Sequence, residues 1–298
     1  MVVCGGCGLG RFHPPPGPEH LLAFYPPEYY GQLGAKFQPL VESLVRLVAR
    51  RQTDFLARSL APGARVLDLG CGRGVTLGPL AERGLEVHGV ELRAEAAAGI
   101  DPRAQIRIVP RLADAAYPAD FFDEVIVWHV LEHLDDPAGT LAEIGRVLRP
   151  GGRLVVAVPN FSSFQARATG SAWFHIDPPR HLYHFPVAAL RQLVGQAGFE
   201  VESEHHFSLR QNPFGWIQSL QNRARLPRNG LYALLYQRNP DEPSPFDPAT
   251  RFWLRFWLVV GAPFALLASA VAAGLRSGAT VHLVARRLPQ SNHGLPSR

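Results

Sequence analysis

A chain of 298 residues can bury a sizeable core and has room for one large domain or two small ones. Its 47% apolar content is that of a globular protein, and its net charge of +5, almost all arginine with Lys36 as the only lysine, is too small to demand an anionic partner. Three cysteines make no disulfide framework, and MVVCGGCGLG lacks the basic and apolar regions of a secretory signal, so the expected setting is the reducing cytoplasm.

Residues 1–35 are rich in Gly, Pro and Tyr, and Pro14, Pro15, Pro16 and Pro18 exclude a helix there. Leu40, Leu44, Leu47, Val48, Phe55 and Leu56 recur at helical spacing and predict a helix from about Pro39 to Leu60. Apolar runs then predict strands at 64–70, 85–92, 104–109, 122–130 and 152–159, alternating with helices. The clearest helix covers 137–152, with Leu141, Ile144, Val147 and Leu148 on one face and PGG as its stop. This alternation predicts an α/β fold, a parallel sheet with helices on both faces. A helix at 186–197 with Gly198 as its cap, a strand at 198–207 and an irregular region at 208–250 follow. After the uncharged stretch FWLVVGAPFALLASAVAAGL (256–275) come a strand at 278–287 and a tail expected to be disordered.

The segment VLDLGCGRG (66–74) carries the chemistry. A strand runs into Gly70, Gly72 and Gly74 at the carboxyl end of a parallel sheet, where open α/β sheets bind ligands. Glycines there let backbone approach a ligand, and the next helix presents its first amides. The spacing is G-x-G-x-G, not the G-x-G-x-x-G of dinucleotide sites, and Asp68 precedes it. A carboxylate in the turn repels pyrophosphate and attracts an amino group. Glu91, at the end of the next strand, suits the two hydroxyls of a ribose. A ligand with an ammonium and a ribose but no phosphate is S-adenosylmethionine.

In order and spacing, VLDLGCGRG, VHGVEL, FFDEVIVWHVLEHLDDP and VLRPGGRLVVAVPN resemble the motifs of class I S-adenosylmethionine-dependent methyltransferases, in the subgroup with WHVLEHLDDP after the fourth strand. The resemblance covers residues 53–207 and 279–287. It implies a Rossmann-like, seven-stranded, mostly parallel sheet whose last strand is antiparallel, with a helical apolar insertion before that strand. It also implies roles. Asp68, Gly70 and Gly72 hold the methionine end, with Cys71 a small space-filling member of the turn and not a nucleophile. Glu91 takes the ribose, Leu112, Ala113 and Asp114 the adenine, and His129 lines the methyl-transfer end.

Residues 160–185 fall where this family builds its acceptor pocket, and they hold His175, Asp177, Arg180, His181, Tyr183 and His184. His181 is the first candidate for a base and His175 the second, with Arg180 on the acceptor side. Tyr183 and Phe185 read as packing residues, Arg180 as a partner for Asp177, His184 as a cap of the following helix, and His133 as bonded within its own loop. Histidine spacing offers no convincing third metal ligand, so no catalytic metal is expected. At the N-terminus CGGCGLG and YYG resemble the second half of a zinc ribbon found in the subgroup. Cys4 and Cys7 form at most a half site, and the arm is read as a packing segment laying Tyr25, Tyr29 and Tyr30 on the core.

The resulting domain reading is an N-terminal arm (1–35), a methyltransferase core (36–207), a helical insertion (208–277), the last core strand (278–287) and a tail (288–298). The expected reaction is methyl transfer from S-adenosylmethionine to a small-molecule or lipid-linked, glycan included, acceptor at oxygen. The alternatives are a cofactor-binding protein without catalysis and a membrane-anchored scaffold. No basic stripe with interleaved aromatics suggests nucleic acid. Because the last strand must rejoin the sheet, the apolar stretch cannot cross a membrane once; it either packs on the protein or on a partner subunit, or lies as a monotopic insert, kinked near Pro263, at the inner membrane face through residues 251–276. The sequence leaves the oligomeric state open.

Overall fold

The computed structural model describes residues 1–17, 22–26, 36–236 and 243–289. Tyr29, Tyr30 and the tail from residue 290 lie outside them.

Seven strands form the central sheet: β1 (Arg65–Leu69), β2 (Glu86–Glu91), β3 (Gln105–Ile108), β4 (Phe122–Trp128), β5 (Leu148–Pro159), β6 (Phe199–His205) and β7 (Thr280–Arg287). Their order is β3-β2-β1-β4-β5-β7-β6, with β7 antiparallel to both its neighbours and the first five strands parallel. The central strands read as unbroken apolar runs because both faces are covered. Leu67, Val125, Val127, Leu154 and Val156 meet Leu141, Ile144, Leu190 and Val194 on one face. Val66, Ile126 and Val155 meet Leu56, Leu77 and Leu80 on the other. The helices supplying those residues are α1 (Pro39–Ala57) and α2 (Leu77–Ala81) on the second face, with α4 (Pro137–Val147) and α6 (Val187–Gln196) on the first; α3 (Ala94–Ala97) and α5 (Phe164–Thr169) are short. The strand order reverses between the parallel β1 and β4, which opens a crevice at their carboxyl ends.

The structure departs from the sequence reading in three places. Helix α4, capped by the Asp136 carboxylate accepting Gly139 N–H at 2.8 Å, ends at Val147 and not at 152, because Leu148 already belongs to β5. In α1 the buried positions are Glu42, Val45, Ala49, Thr53 and Leu56, whereas Leu40, Leu44 and Leu47 are exposed. The region expected to be irregular holds two helices, α7 (Asn212–Arg223) and α8 (Gly230–Leu235). Polar residues occupy the buried face of α7: Gln221 donates to the Leu254 carbonyl, and Gln218 accepts the Tyr232 N–H. An apolar periodicity is therefore missing from a helix that is nonetheless inside. The apolar stretch forms the helix α9 (Pro248–Gly274), with Pro263 inside it; it packs on α7 and α8, burying Leu254, Ala265, Ser269 and Ala272.

The N-terminal arm forms a hairpin, Val2–Val3 with Gly10–Arg11, that adds a third short strand, Tyr183–His184, from the loop after β5. Tyr25 reaches the core, its hydroxyl 2.8 Å from His133 Nδ1.

At the end of β1, Gly70 has φ +69°, and a Cβ there would meet Val130 Cγ2 at 2.5 Å. Gly70→Ala combines a left-handed backbone with a steric clash, so it is expected to destabilise the fold by about 2–4 kcal/mol, read from urea unfolding. An unchanged midpoint would show that the turn relaxes freely.

Candidate active site

Three glycines, Gly70, Gly72 and Gly74, take positive φ values of 69°, 51° and 63°, curling the chain after β1 back toward β2. The Gly70 and Cys71 amides donate to the Val90 carbonyl at 2.8 and 3.2 Å, and Gly72 N–H donates to Glu91 Oε2 at 2.8 Å. The other Glu91 oxygen accepts Leu92 N–H at 2.8 Å and Arg93 N–H at 3.2 Å. Glu91 thus ties the two strand ends together. A Cβ at Gly72 would meet nothing within 4 Å, so this side of the turn is open to a ligand.

Asp68 lies in register with Gly89 and Ile126, buried at the switch point. Burial and the neighbouring Glu91, with no hydrogen bond from a described residue, raise its pKa to about 7. A buried acid beside another acid, with no donor of its own, fits an ammonium ligand. These residues therefore suit the amino-acid and ribose ends of S-adenosylmethionine. Cys71 is a packing residue: its sulfur lies where a Cβ at Gly89 would come within 2.7 Å, and burial pushes its thiol pKa up. Leu112, Ala113 and Asp114 lie on a single 3₁₀ turn just past β3, whose Ile108 pairs with Glu91. Leu112 is buried there, while Asp114 is engaged with Arg111 at 3.2 Å.

His129 closes β4 with φ +55°, its amide donating to the Ala157 carbonyl. Its Nδ1 lies 3.3 Å from Glu132 Oε1, its buried Nε2 has no partner among the described residues, and burial lowers its pKa to about 3. His129 also lines a cavity of about 560 Å³ enclosed by α1, α7, α8 and the loops after β4 and β5. Because Val130 packs on Gly70, this cavity adjoins the glycine turn. Its lining combines polar residues, among them Glu132, His133, Asp177, Arg180 and His181, with apolar ones, among them Val41, Val45, Val48, Phe214 and Leu235.

The acceptor-side candidates meet in this cavity with different capacities. His181 Nδ1 donates to the His175 carbonyl at 2.8 Å, which leaves Nε2 as an acceptor, 3.9 Å from Asp177 Oδ2. Burial and three neighbouring imidazoles hold its pKa well below the usual histidine value. His175 is less suited to act as a base, since its Nε2 faces Gly215 of α7, 3.0 Å from where a Cβ would stand. Arg180 makes a two-pronged pair with Asp177 at 2.9 and 2.6 Å, and Tyr183 stacks on Phe185. Two expectations are corrected. His184 does not cap α6; its Nε2 donates to the Ile176 carbonyl at 3.1 Å. His133 is not bonded within its loop; its Nδ1 donates to the Arg180 carbonyl at 3.0 Å and its ring faces His181 with centroids 4.6 Å apart.

The fold also assembles a set that histidine spacing does not reveal. Glu132, His133 and His181 each offer a ligand atom within 4.8 Å of the others. Among the described residues Cys4 and Cys7 gather no third ligand. Further residues missed from sequence are Lys36, Arg210, Phe214 and Tyr232. Lys36 is half-buried, and desolvation together with the nearby Arg210, Arg180 and Arg73 lowers its pKa to about 7. Its being the sole lysine was the one available signal; Arg210 sits in the turn before α7, Phe214 in α7 and Tyr232 in α8.

A sequence profile of a methyltransferase domain matches residues 41–204. The chain is 33% identical over 147 residues to a ubiquinone biosynthesis O-methyltransferase of Rhodopseudomonas palustris (strain BisB18), covering 46% of this chain and 58% of that protein. It is 28% identical over 204 residues to a protein of the same name from Aromatoleum aromaticum, covering 63% and 83%. The chain spans about half the length of the first of these curated relatives. Among solved structures, a SAM-dependent methyltransferase from Archaeoglobus fulgidus shares the fold with a TM-score of 0.52, at 17% identity over 81% of this chain and 94% of that one.

Proposed function

Since the chain belongs to the class I S-adenosylmethionine-dependent methyltransferases, we propose that it methylates a hydroxyl oxygen of an acceptor with an apolar, lipid-linked body. The observation that carries this reading is the cavity, whose lining joins the polar His129, His133 and His181 to apolar residues of α1, Val41, Leu44, Val45 and Val48. The names of the relatives, oxygen methylation in ubiquinone biosynthesis, support an oxygen acceptor.

S-adenosylmethionine supplies a methyl group already activated on sulfur. The chain's own residues then have two tasks. Asp68 and Glu91 fix the cofactor, and the cavity wall aligns the acceptor, a positioning effect that can account for much of the rate. A hydroxyl acceptor must also lose a proton, and the free Nε2 lone pair of His181 is the group oriented to take it. Desolvation keeps this imidazole neutral, hence able to accept.

The test is a screen with labelled cofactor of phenolic and sugar hydroxyls, each in free and isoprenoid-linked form. Transfer to the tailed members is the expected result. His181→Gln is expected to lower turnover by about 10²–10⁴-fold with cofactor affinity nearly unchanged. Turnover only with untailed acceptors would refute the lipid-linked reading, and an active His181→Gln would remove His181 as the base. We further propose that the exposed face of α9 holds the protein at the cytoplasmic membrane surface, where such acceptors reside.

A further inference from the structure

We propose that Glu132, His133 and His181 form a binding site for one divalent transition-metal ion, of the zinc or manganese kind, in the cavity. The site does not depend on which acceptor the cavity takes, but an ion on His181 Nε2 occupies the lone pair that would take the acceptor proton, so in the ion-loaded chain His181 is a ligand and not the base.

Three features point to it. The ligand atoms already lie within 4.8 Å of one another. Two ligands held at about 2.1 Å from one ion stand no more than about 4.2 Å apart, so a small side-chain rotation closes the set. Both imidazoles are also oriented as metal ligands are. His133 and His181 each commit Nδ1–H to a backbone carbonyl, of Arg180 and His175 respectively, which leaves each Nε2 lone pair free. A carbonyl behind the far ring nitrogen is the usual outer support of a metal-bound histidine. The third feature is Glu132: its Oε2 is fully buried and has no hydrogen-bond partner among the described residues. A buried carboxylate oxygen left unpaired is costly, and a cation is the partner that removes the cost.

The donor set narrows the ion. Two imidazoles and one carboxylate suit zinc, cobalt or manganese better than the all-oxygen preference of magnesium or calcium. Three protein ligands also leave coordination positions open, and those face the cavity, where an acceptor oxygen can bind. The cluster is hidden in the sequence because His181 joins it from the loop after β5.

Calorimetric titration of the EDTA-stripped full chain with zinc, manganese and cobalt chlorides tests this. The chain should carry Cys4→Ser and Cys7→Ser, so that the N-terminal thiols bind nothing. One ion per chain is expected. The cobalt form should lack the thiolate absorption of a cysteine site. Glu132→Gln and His181→Gln should each weaken the ion at least tenfold while S-adenosylmethionine still binds, which also verifies folding. No ion bound by the parent chain at submillimolar metal overturns the proposal. So does unchanged ion affinity in a cofactor-binding Glu132→Gln or His181→Gln variant.

Discussion

Asp68→Asn is expected to weaken S-adenosylmethionine by about 2–5 kcal/mol, the range for removing one partner of a buried charge pair, while making the cofactor-free protein more stable above neutral pH. The two effects share one cause. Asp68 is buried, has no donor among the described residues, and stands beside Glu91, so its pKa rises to about 7. An acid whose folded pKa lies above its unfolded value near 3.8 contributes stability below the latter, and that contribution is lost as pH rises through 7. Above 7 the folded chain carries a buried charge that asparagine does not. The cofactor's cationic end favours the ionised form, so binding to the wild type must expel a proton below pH 7. Apparent affinity should therefore fall about tenfold per pH unit below 7 and level off above it, and the slope should vanish in Asp68→Asn. Calorimetry from pH 5.5 to 7.5, with thermal melts of the free protein, gives both readouts. Equal affinity of the two proteins, or a wild-type profile flat across 7, would remove Asp68 from the site.

What could be read in advance follows the range of the forces involved. The strands, the glycine turn and its two acids are local features: an apolar run, a residue without Cβ where φ is positive, and an acid at a strand end. All of these the fold retains, from β1 to Glu91. The acceptor side depends on contacts between distant segments. The sequence marks His175 and His181 but cannot tell that one Nε2 faces a glycine of α7 and the other the cavity. His133 looked local because its bond to Arg180 crosses from the loop after β4 to the loop after β5. Helix α7 escaped notice because its buried face is built of amides that bond to backbone. The stripe of α1 misled in the opposite direction. Leu40, Leu44 and Leu47 have helical spacing yet stand exposed, while a buried acid, Glu42, holds Arg73 at 2.9 Å.

Replacing Phe264 and Leu267 with glutamate is expected to release the protein from membranes without touching its cofactor site. Helix α9 is long and apolar enough to span a bilayer, but β7, which follows it, lies between β5 and β6 of the sheet that precedes it. One crossing would put β7 on the wrong side, so the helix must return to the surface it left. Its buried stripe, Leu254, Ala265, Ser269 and Ala272, covers one side. Elsewhere Phe256, Val260, Phe264, Leu267 and Val271 project at helical spacing, all exposed. A surface helix of a soluble protein carries polar residues there. Trp253 and Trp257 are exposed beside Arg251 and Arg255 at one end, with Arg276 past the other, the company of a headgroup boundary. Phe264 and Leu267 are among the most exposed of these residues, so glutamate there disturbs no packing. The double change forfeits about 3–6 kcal/mol of apolar burial in the interface, a loss of at least a hundredfold in partition. Flotation with liposomes reads it: the parent protein should rise with vesicles, more with anionic lipid because of the three arginines, and the variant should stay behind with unaltered S-adenosylmethionine affinity. If the parent protein ignores vesicles and sediments as a dimer that the same substitutions dissolve, the apolar face of α9 joins two copies of the chain and the membrane assignment fails.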